Sequence, residues 1–279
     1  MKTRAPWKLV SLAAAVLSSY AQQTHPPAGI FESSGDVGAT PKSGAIEYNP
    51  ASGEYRVTGG GANIWGAEDA FFFAWQRLSG DVTLSAEIRF VGRGVNPHRK
   101  AVLMIRQDLT AGSAYADAAL HGDGLASLQF RSAAGADTEE IRSPVSSPTR
   151  LRIERRGNLL SMLAGRSAEE LISSGPRTVE FADPVYVGIG VCSHDGGVLE
   201  AAKFLNVRLE QPGQGARLRY RSRITAYDIT ARSASEVHQA DEVIEAPNWS
   251  RDAKPAQAGG RAGVRPHSSG GAGGGATGG

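Results

Sequence analysis

The chain has 279 residues, 41% hydrophobic and 21% charged, which is enough apolar material for one sizeable core and excludes a chain disordered throughout. A formal charge of +2 is too small to imply a nucleic-acid partner. The single cysteine, Cys192, excludes an internal disulfide, so stability must come from the core.

The first 21 residues read as a secretory signal. Lys2, Arg4 and Lys8 make a basic start, residues 9–17 a mainly apolar run, and Ser19 and Ala21 a small-x-small cleavage site. The mature chain is therefore expected to begin at Gln22 and to be secreted or periplasmic. The apolar run falls well short of the roughly 20 residues that span a bilayer, so no membrane span is expected after cleavage. Loss of the three basic residues takes the formal charge from +2 to −1.

From residue 46 to about 210 the sequence is a succession of short apolar or alternating runs broken by glycine, proline and aspartate turns, the signature of an all-β sandwich or barrel. The clearest strand is 82–90, with Val82, Leu84, Ala86, Ile88 and Phe90 on one face and Thr83, Ser85, Glu87 and Arg89 on the other. Further strands are expected at 55–58, 62–65, 71–77, 101–107, 115–121, 125–131, 150–155, 159–164, 186–192 and 203–209. The one helix-like stretch, 168–172, is too short to stand alone.

Between 115 and 131 a register can be written down, because the loop Gly122-Asp123-Gly124 suits a hairpin with a bulge. Pairing His121 with Leu125 sets Ala119 against Ser127, Asp117 against Gln129 and Tyr115 against Arg131. Ala116, Ala118, Leu120, Ala126, Leu128 and Phe130 then share the other, apolar face. The polar face is expected to be exposed, with an aromatic, a carboxylate, an amide and a guanidinium side by side, a surface able to bind sugar.

After residue 210 a linker and a further segment run to 254. From 255 to 279 the chain is glycine-rich, with 10 glycines in its last 21 residues and no apolar run, which predicts a disordered tail.

The runs beginning at Asp81, Lys100, Tyr115, Thr149 and Tyr186, in that order, resemble concanavalin A-like lectin and glucanase domains over residues 29–210. The resemblance implies a jelly-roll β-sandwich of two antiparallel sheets, with ligands such as glycans on a concave face or its rim. Further on, 224–229, 237–242 and the Pro-Asn-Trp-Ser-x-Asp motif at 247–252 resemble the opening of a TolB-like β-propeller. Ala253 stands where that pattern has glycine, and no strand follows Lys254. The 69 residues after 210 are too few for about four blades of roughly 40 residues, so the segment 211–254 is read as an incomplete propeller start, in a truncated or frame-shifted relative of a longer two-domain protein, the alternative being that the tail is a natural flexible extension.

Glycosidases of the glucanase branch place carboxylates on one strand face in a Glu-x-Asp-x-x-Glu run, and this chain has none. Glu139-Glu140 and Glu169-Glu170 are adjacent pairs, which in a strand point to opposite faces. The expectation is a non-catalytic module that recognises a glycan or another envelope polymer, the alternatives being a docking domain without a small ligand and, third, a glycoside hydrolase. Candidate ligand-binding residues are Trp65, Arg106, Tyr115, Asp117, His121, Gln129, Arg131 and His194. Trp65, beside the Gly66 turn, is expected to be exposed, whereas Trp75 follows Phe71-Phe72-Phe73 and is expected in the core. No cofactor is expected. Asp123 and Asp195 have the oxygen chemistry for Ca²⁺ but are equally the turn residues of Gly-Asp-Gly and His-Asp-Gly-Gly. Cys192, among valines, reads as a buried strand thiol.

Overall fold

The computed structural model describes residues 25–212, 222–228, 230 and 233–240. The chain divides into two units, residues 1–216 and 217–279. The first contains β1 (Ser33–Val37), β2 (Ala45–Asn49), β3 (Glu54–Gly59), β4 (Ile64–Trp65), β5 (Glu68–Asp69), β6 (Phe71–Leu78), β7 (Val82–Val91) and β8 (Lys100–Arg106). It continues with β9 (Tyr115–His121), β10 (Ala126–Arg131), β11 (Glu139–Arg142), β12 (Arg150–Arg156), β13 (Leu159–Gly165), β14 (Ile172–Thr178), β15 (Val185–Cys192) and β16 (Glu200–Glu210).

Fourteen of these strands form two seven-stranded antiparallel sheets of a jelly-roll β-sandwich, as expected. The first sheet runs β1-β6-β15-β8-β9-β10-β11 and the second β14-β13-β12-β7-β16-β3-β2. The core lies between them and is built from the alternate apolar positions of facing strands: Leu84, Ala86 and Ile88 of β7, Leu103 and Ile105 of β8, Leu128 and Phe130 of β10, Ile153 of β12 and Ile189 of β15. Residues 168–172 form no helix, and β14 begins at Ile172.

The β9–β10 hairpin has the expected register, with Asp117 opposite Gln129 and Tyr115 opposite Arg131. Its other face behaves differently from expectation. β8, β9 and β10 are buried along their whole length, on both sides. The polar face of the first sheet is covered by residues 61–70, which leave β3, turn back as the small β4–β5 hairpin and feed β6. Gly61 makes this path feasible, because at its φ of 103° a Cβ would stand 1.9 Å from the Ala70 carbonyl oxygen. Gly66, with φ 63°, occupies the first central position of the two-residue turn between Trp65 and Glu68, where a type II′ turn requires glycine.

Beneath that flap a second apolar cluster gathers Val37, Ile64, Phe71, Phe73, Trp75, Val102, Met104, Tyr115, Ala119 and Cys192. Trp75 is thus in the interior, as expected, on the side of the sheet away from the main core. Cys192 is fully buried, and burial pushes its thiol up to about 11, which keeps it un-ionised and unreactive near neutral pH.

In the second unit, β17 (Ser222–Asp228) and β18 (Ser233–Ala240) pair antiparallel. The expected signal, the 247–252 motif and the glycine-rich tail lie outside the described residues. Among the described residues no helix is long and apolar enough to cross a membrane.

Candidate functional site

The covered face of the first sheet carries two polar assemblies. At one end β10 supplies Arg131, β8 supplies Arg106 and the returning flap supplies Asp69. Arg131 donates to both Asp69 oxygens, Nη1 to Oδ2 at 3.0 Å and Nη2 to Oδ1 at 2.7 Å. Arg106 adds a longer contact of 3.5 Å, and all three side chains are fully buried. Further guanidinium donors meet carbonyl oxygens, those of Gly66 and Ser113 from Arg131 and those of Asp108 and Thr110 from Arg106, and Arg106 Nη1 meets the Met104 sulfur. Thr138 donates to the Gly66 carbonyl and meets the Tyr115 hydroxyl at 3.2 Å. Burial pushes the Asp69 carboxyl up, while the Arg131 hydrogen bonds and the Arg106 charge pull it back.

This clasp corrects the expectation for three candidates. Arg106, Tyr115 and Arg131 are 0% exposed and occupied by internal partners, so they offer nothing to a ligand. A guanidinium facing out of a strand can be buried when a carboxylate and several carbonyls meet its donors, and residues 61–70 bring them.

The other assembly surrounds Lys100, the first residue of β8. Its Nζ donates to the Ile64 carbonyl at 2.7 Å, pinning the flap, and to Gln129 Oε1 at 3.0 Å. It also lies 5.3 Å from the centre of the Trp65 ring. Gln129 Nε2 in turn meets His121 Nε2 at 3.3 Å and Glu140 Oε1 at 3.2 Å. Glu140, brought opposite Gln129 by the β10–β11 register, is bridged by Arg142 at 3.0 Å, and despite partial desolvation these hydrogen bonds hold its carboxyl below the usual range. His98 packs 6.3 Å from His121 and 5.6 Å from His194, ring centre to ring centre.

Asp117 lies inside this group, 0% exposed, and neither of its oxygens has a well-aligned hydrogen-bond partner. Desolvation pushes its carboxyl well above the usual range against the pull of Lys100, and the same desolvation lowers Lys100. The expectation that the Asp117 carboxylate lies on an exposed face is therefore overturned. Trp65 is, as expected, exposed, at 41%. Of the eight candidates, Trp65, Asp117, His121, Gln129 and His194 gather at this end. Lys100, Glu140 and His98 complete the group and were not among the candidates.

Asp123 Oδ1 accepts from the Leu125 N–H at 3.0 Å, and Asp195 Oδ1 from the Gly197 N–H at 2.7 Å, both ordinary turn bonds. Among the described residues no group of three or more His, Cys, Asp or Glu side chains is placed to hold a metal ion.

His121 gives the site a measurable pH response. Burial, with the Lys100 charge second, lowers its pKa from 6.5 to about 4, so the fold holds the neutral imidazole. A depressed histidine contributes stability that is present above the unfolded value and lost as pH falls toward the folded one. At about 1.4 kcal/mol per unit this amounts to roughly 3 kcal/mol lost between about pH 6.5 and pH 4. His121→Gln is expected to flatten that part of the profile, measured by urea unfolding at stepped pH. An unchanged slope in the variant would assign the acid sensitivity elsewhere.

No family model and no curated protein matches the chain. Solved structures do match in fold. A functionally unknown protein from Saccharomyces cerevisiae is 12% identical, with a TM-score of 0.48 over 60% of this chain and 92% of its own. The carbohydrate binding module CBM66 from Bacillus subtilis is 16% identical, with a TM-score of 0.40 over 60% and 92% of the two chains. A Bacillus licheniformis β-glucanase is 10% identical, with a TM-score of 0.40 over 60% and 82%. At these identities the likeness is one of β-sandwich fold alone.

Proposed function

We propose that the chain is a non-catalytic module that recognises a glycan or a similar envelope polymer, with Trp65 as its contact platform. The observation that carries this reading is an indole 41% exposed on a flap fastened by Lys100 at Ile64 and by Arg131 at Gly66. Lys100 is buried, so the open side of the ring is the one away from it. An aromatic face offers a platform to the C–H surface of a sugar, and the neighbouring Glu140, Arg142 and His194 offer hydrogen-bonding groups for hydroxyls. The enclosed Asp117 and the bridged Glu140 do not form a carboxylate pair free to flank a bond, which favours recognition over hydrolysis. The reading includes export, on the strength of the leader-like residues 1–21, and a TolB-like segment at 211–254.

A glycan-array screen of the full chain tests the proposal. Trp65→Ala is expected to weaken the best hit at least tenfold, about 1.4 kcal/mol, while leaving the melting temperature nearly unchanged. A variant that binds as well as the parent, or an array without hits, would turn the reading to a docking domain without a small ligand. That second reading has its own support, since the protein itself fills the Arg106–Arg131 end of the face. Release of reducing ends that is abolished by Glu140→Gln would instead establish a hydrolase.

A further inference from the structure

The outer face of the second sheet carries a cavity of about 450 Å³ that the reading above does not use. Ser85 of β7 lies at its floor, Arg150 and Arg152 of β12 and Arg208 of β16 form its walls, and Glu169 and Glu210 stand at the rim. The register makes this a constellation: Arg152 and Arg208 are the direct cross-strand neighbours of Ser85 on either side. With strands about 4.8 Å apart, the two arginine Cα atoms lie roughly 10 Å from one another across the serine.

A local irregularity places Arg208 there. β16 faces β7 with Leu205 opposite Glu87, so a regular ladder would set Val207 opposite Ser85 and turn Arg208 toward the core. A bulge between Leu205 and Arg208, with Asn206 at φ 50°, shifts the phase and brings Arg208 outward, opposite Ser85. Bulges re-aim side chains in this way beside functional sites.

The arginines are poorly satisfied. Arg150, 9% exposed, reaches Glu87 at 3.4 Å, and Arg152 reaches Glu154 at 3.5 Å, both long for charged hydrogen bonds. The Nε groups of Arg150 and Arg152 are buried without an acceptor. Among the described residues, the Arg208 guanidinium and the Ser85 hydroxyl have no hydrogen-bond or ion-pair partner. Positive charges on both sides of a small hydroxyl repel unless something negative lies between them.

We propose that this cavity is a second ligand site, taking a single oxyanion group (a carboxylate, sulfate ester or phosphate ester) carried on a hydroxyl-bearing ligand. Arg152 and Arg208 close on the anion from two sides, as planar guanidiniums do with oxyanions, and Ser85 donates from the floor. Glu169 and Glu210 at the rim accept from hydroxyls and repel a run of further negative charges, which selects an isolated anion over a polyanion.

The test uses the full chain and three probes, glucuronate, inorganic sulfate and inorganic phosphate, each compared by calorimetry and thermal shift with chloride at equal ionic strength. At least one probe is expected to bind saturably and to raise the melting temperature above the chloride control, and the strongest identifies the carboxylate, sulfate or phosphate source. Arg208→Gln, at an exposed and unpartnered position, is expected to keep the fold and weaken binding at least tenfold. Ser85→Ala should weaken it several-fold, Arg208→Lys should restore part of the loss, and Trp65→Ala should leave it unchanged. Binding that is equal in Arg208→Gln, or no probe exceeding chloride, would overturn the proposal without touching the Trp65 site.

Discussion

Asp69→Ala is expected to lower the free energy of unfolding by about 3 to 5 kcal/mol, the usual cost of removing one partner from a buried ion pair. The effect is large because one carboxylate serves two fully buried guanidiniums, Arg131 and Arg106. Its removal leaves both charges in a low-dielectric interior with uncharged acceptors, carbonyl oxygens, the Thr138 hydroxyl and the Met104 sulfur. It also loosens the flap, since Asp69 belongs to β5 and its carboxylate ties that strand to Arg131 of β10. The cost is of the same order as truncating Phe130, which opens a cavity in the main core and is worth about 3 to 5 kcal/mol. Asp69→Asn keeps the shape and one acceptor and should fall between the parent and the alanine variant. Urea unfolding followed by tryptophan fluorescence measures all three. A loss below about 1 kcal/mol for Asp69→Ala would mean that the arginines find other partners and that the clasp is not what closes this face.

The contrast between Asp69 and the β9–β10 hairpin shows what the sequence makes legible. The hairpin register follows from a three-residue turn and from apolar alternation on both strands, all within 17 residues, and the structure has that register. Burial of its polar face depends on residues 61–70, which are far away in sequence. In Glu68-Asp69 nothing local distinguishes the exposed Glu68 from the buried Asp69 that receives Arg131 from 62 positions on. Two site residues were within reach of the same reasoning: carrying the register outward from the hairpin sets Lys100 against His121 and Glu140 against Gln129. The edge strands β2, β11 and β14 carry weak signals for a physical reason. They are largely exposed and polar, and β14 contains Gly175 and Pro176, which only an edge tolerates.

Both polar assemblies on the first sheet serve one mechanical end. The flap is held at Ile64 by Lys100 and at Gly66 by Arg131 and by Thr138 just before β11, three donors to carbonyls of one short hairpin. Trp65 lies between the two attachment points. Its exposure is therefore a supported one, and any ligand meeting the indole meets a ring whose backbone is fixed before binding, which limits the ordering cost of recognition.

The second large effect is expected at Lys100. Lys100→Met removes the donor to Ile64 and Gln129 and leaves Asp117 without its counter-charge, which should cost about 3 to 5 kcal/mol near neutral pH. Asp117→Leu removes a carboxylate with no well-aligned hydrogen bond and leaves Lys100 its two acceptors, so it should cost less, about 1 to 3 kcal/mol. If the two groups act as a pair, the double variant should cost less than the sum of the singles by about 0.5 to 3 kcal/mol. The pH dependence separates charge from packing. The Asp117 pKa is raised in the fold, so its contribution is present below the unfolded value of 3.8 and is lost as pH rises through the folded one. Without Lys100 the carboxyl is held up further, and Lys100→Met should recover stability relative to the parent as pH is lowered from neutral. Lys100 is depressed, so its contribution is present above the unfolded value of 10.5 and is lost as pH falls through the folded one. Asp117→Leu should accordingly improve relative to the parent as pH is raised. The His121 contribution cancels when Asp117→Leu is compared with the parent, whereas Lys100→Met also removes a charge that lowers His121, so its acid limb is measured in a His121→Gln background. Additive single losses with no pH-dependent difference would show that Lys100 acts only through its bonds to Ile64 and Gln129, and that Asp117 is a neutral acid indifferent to it.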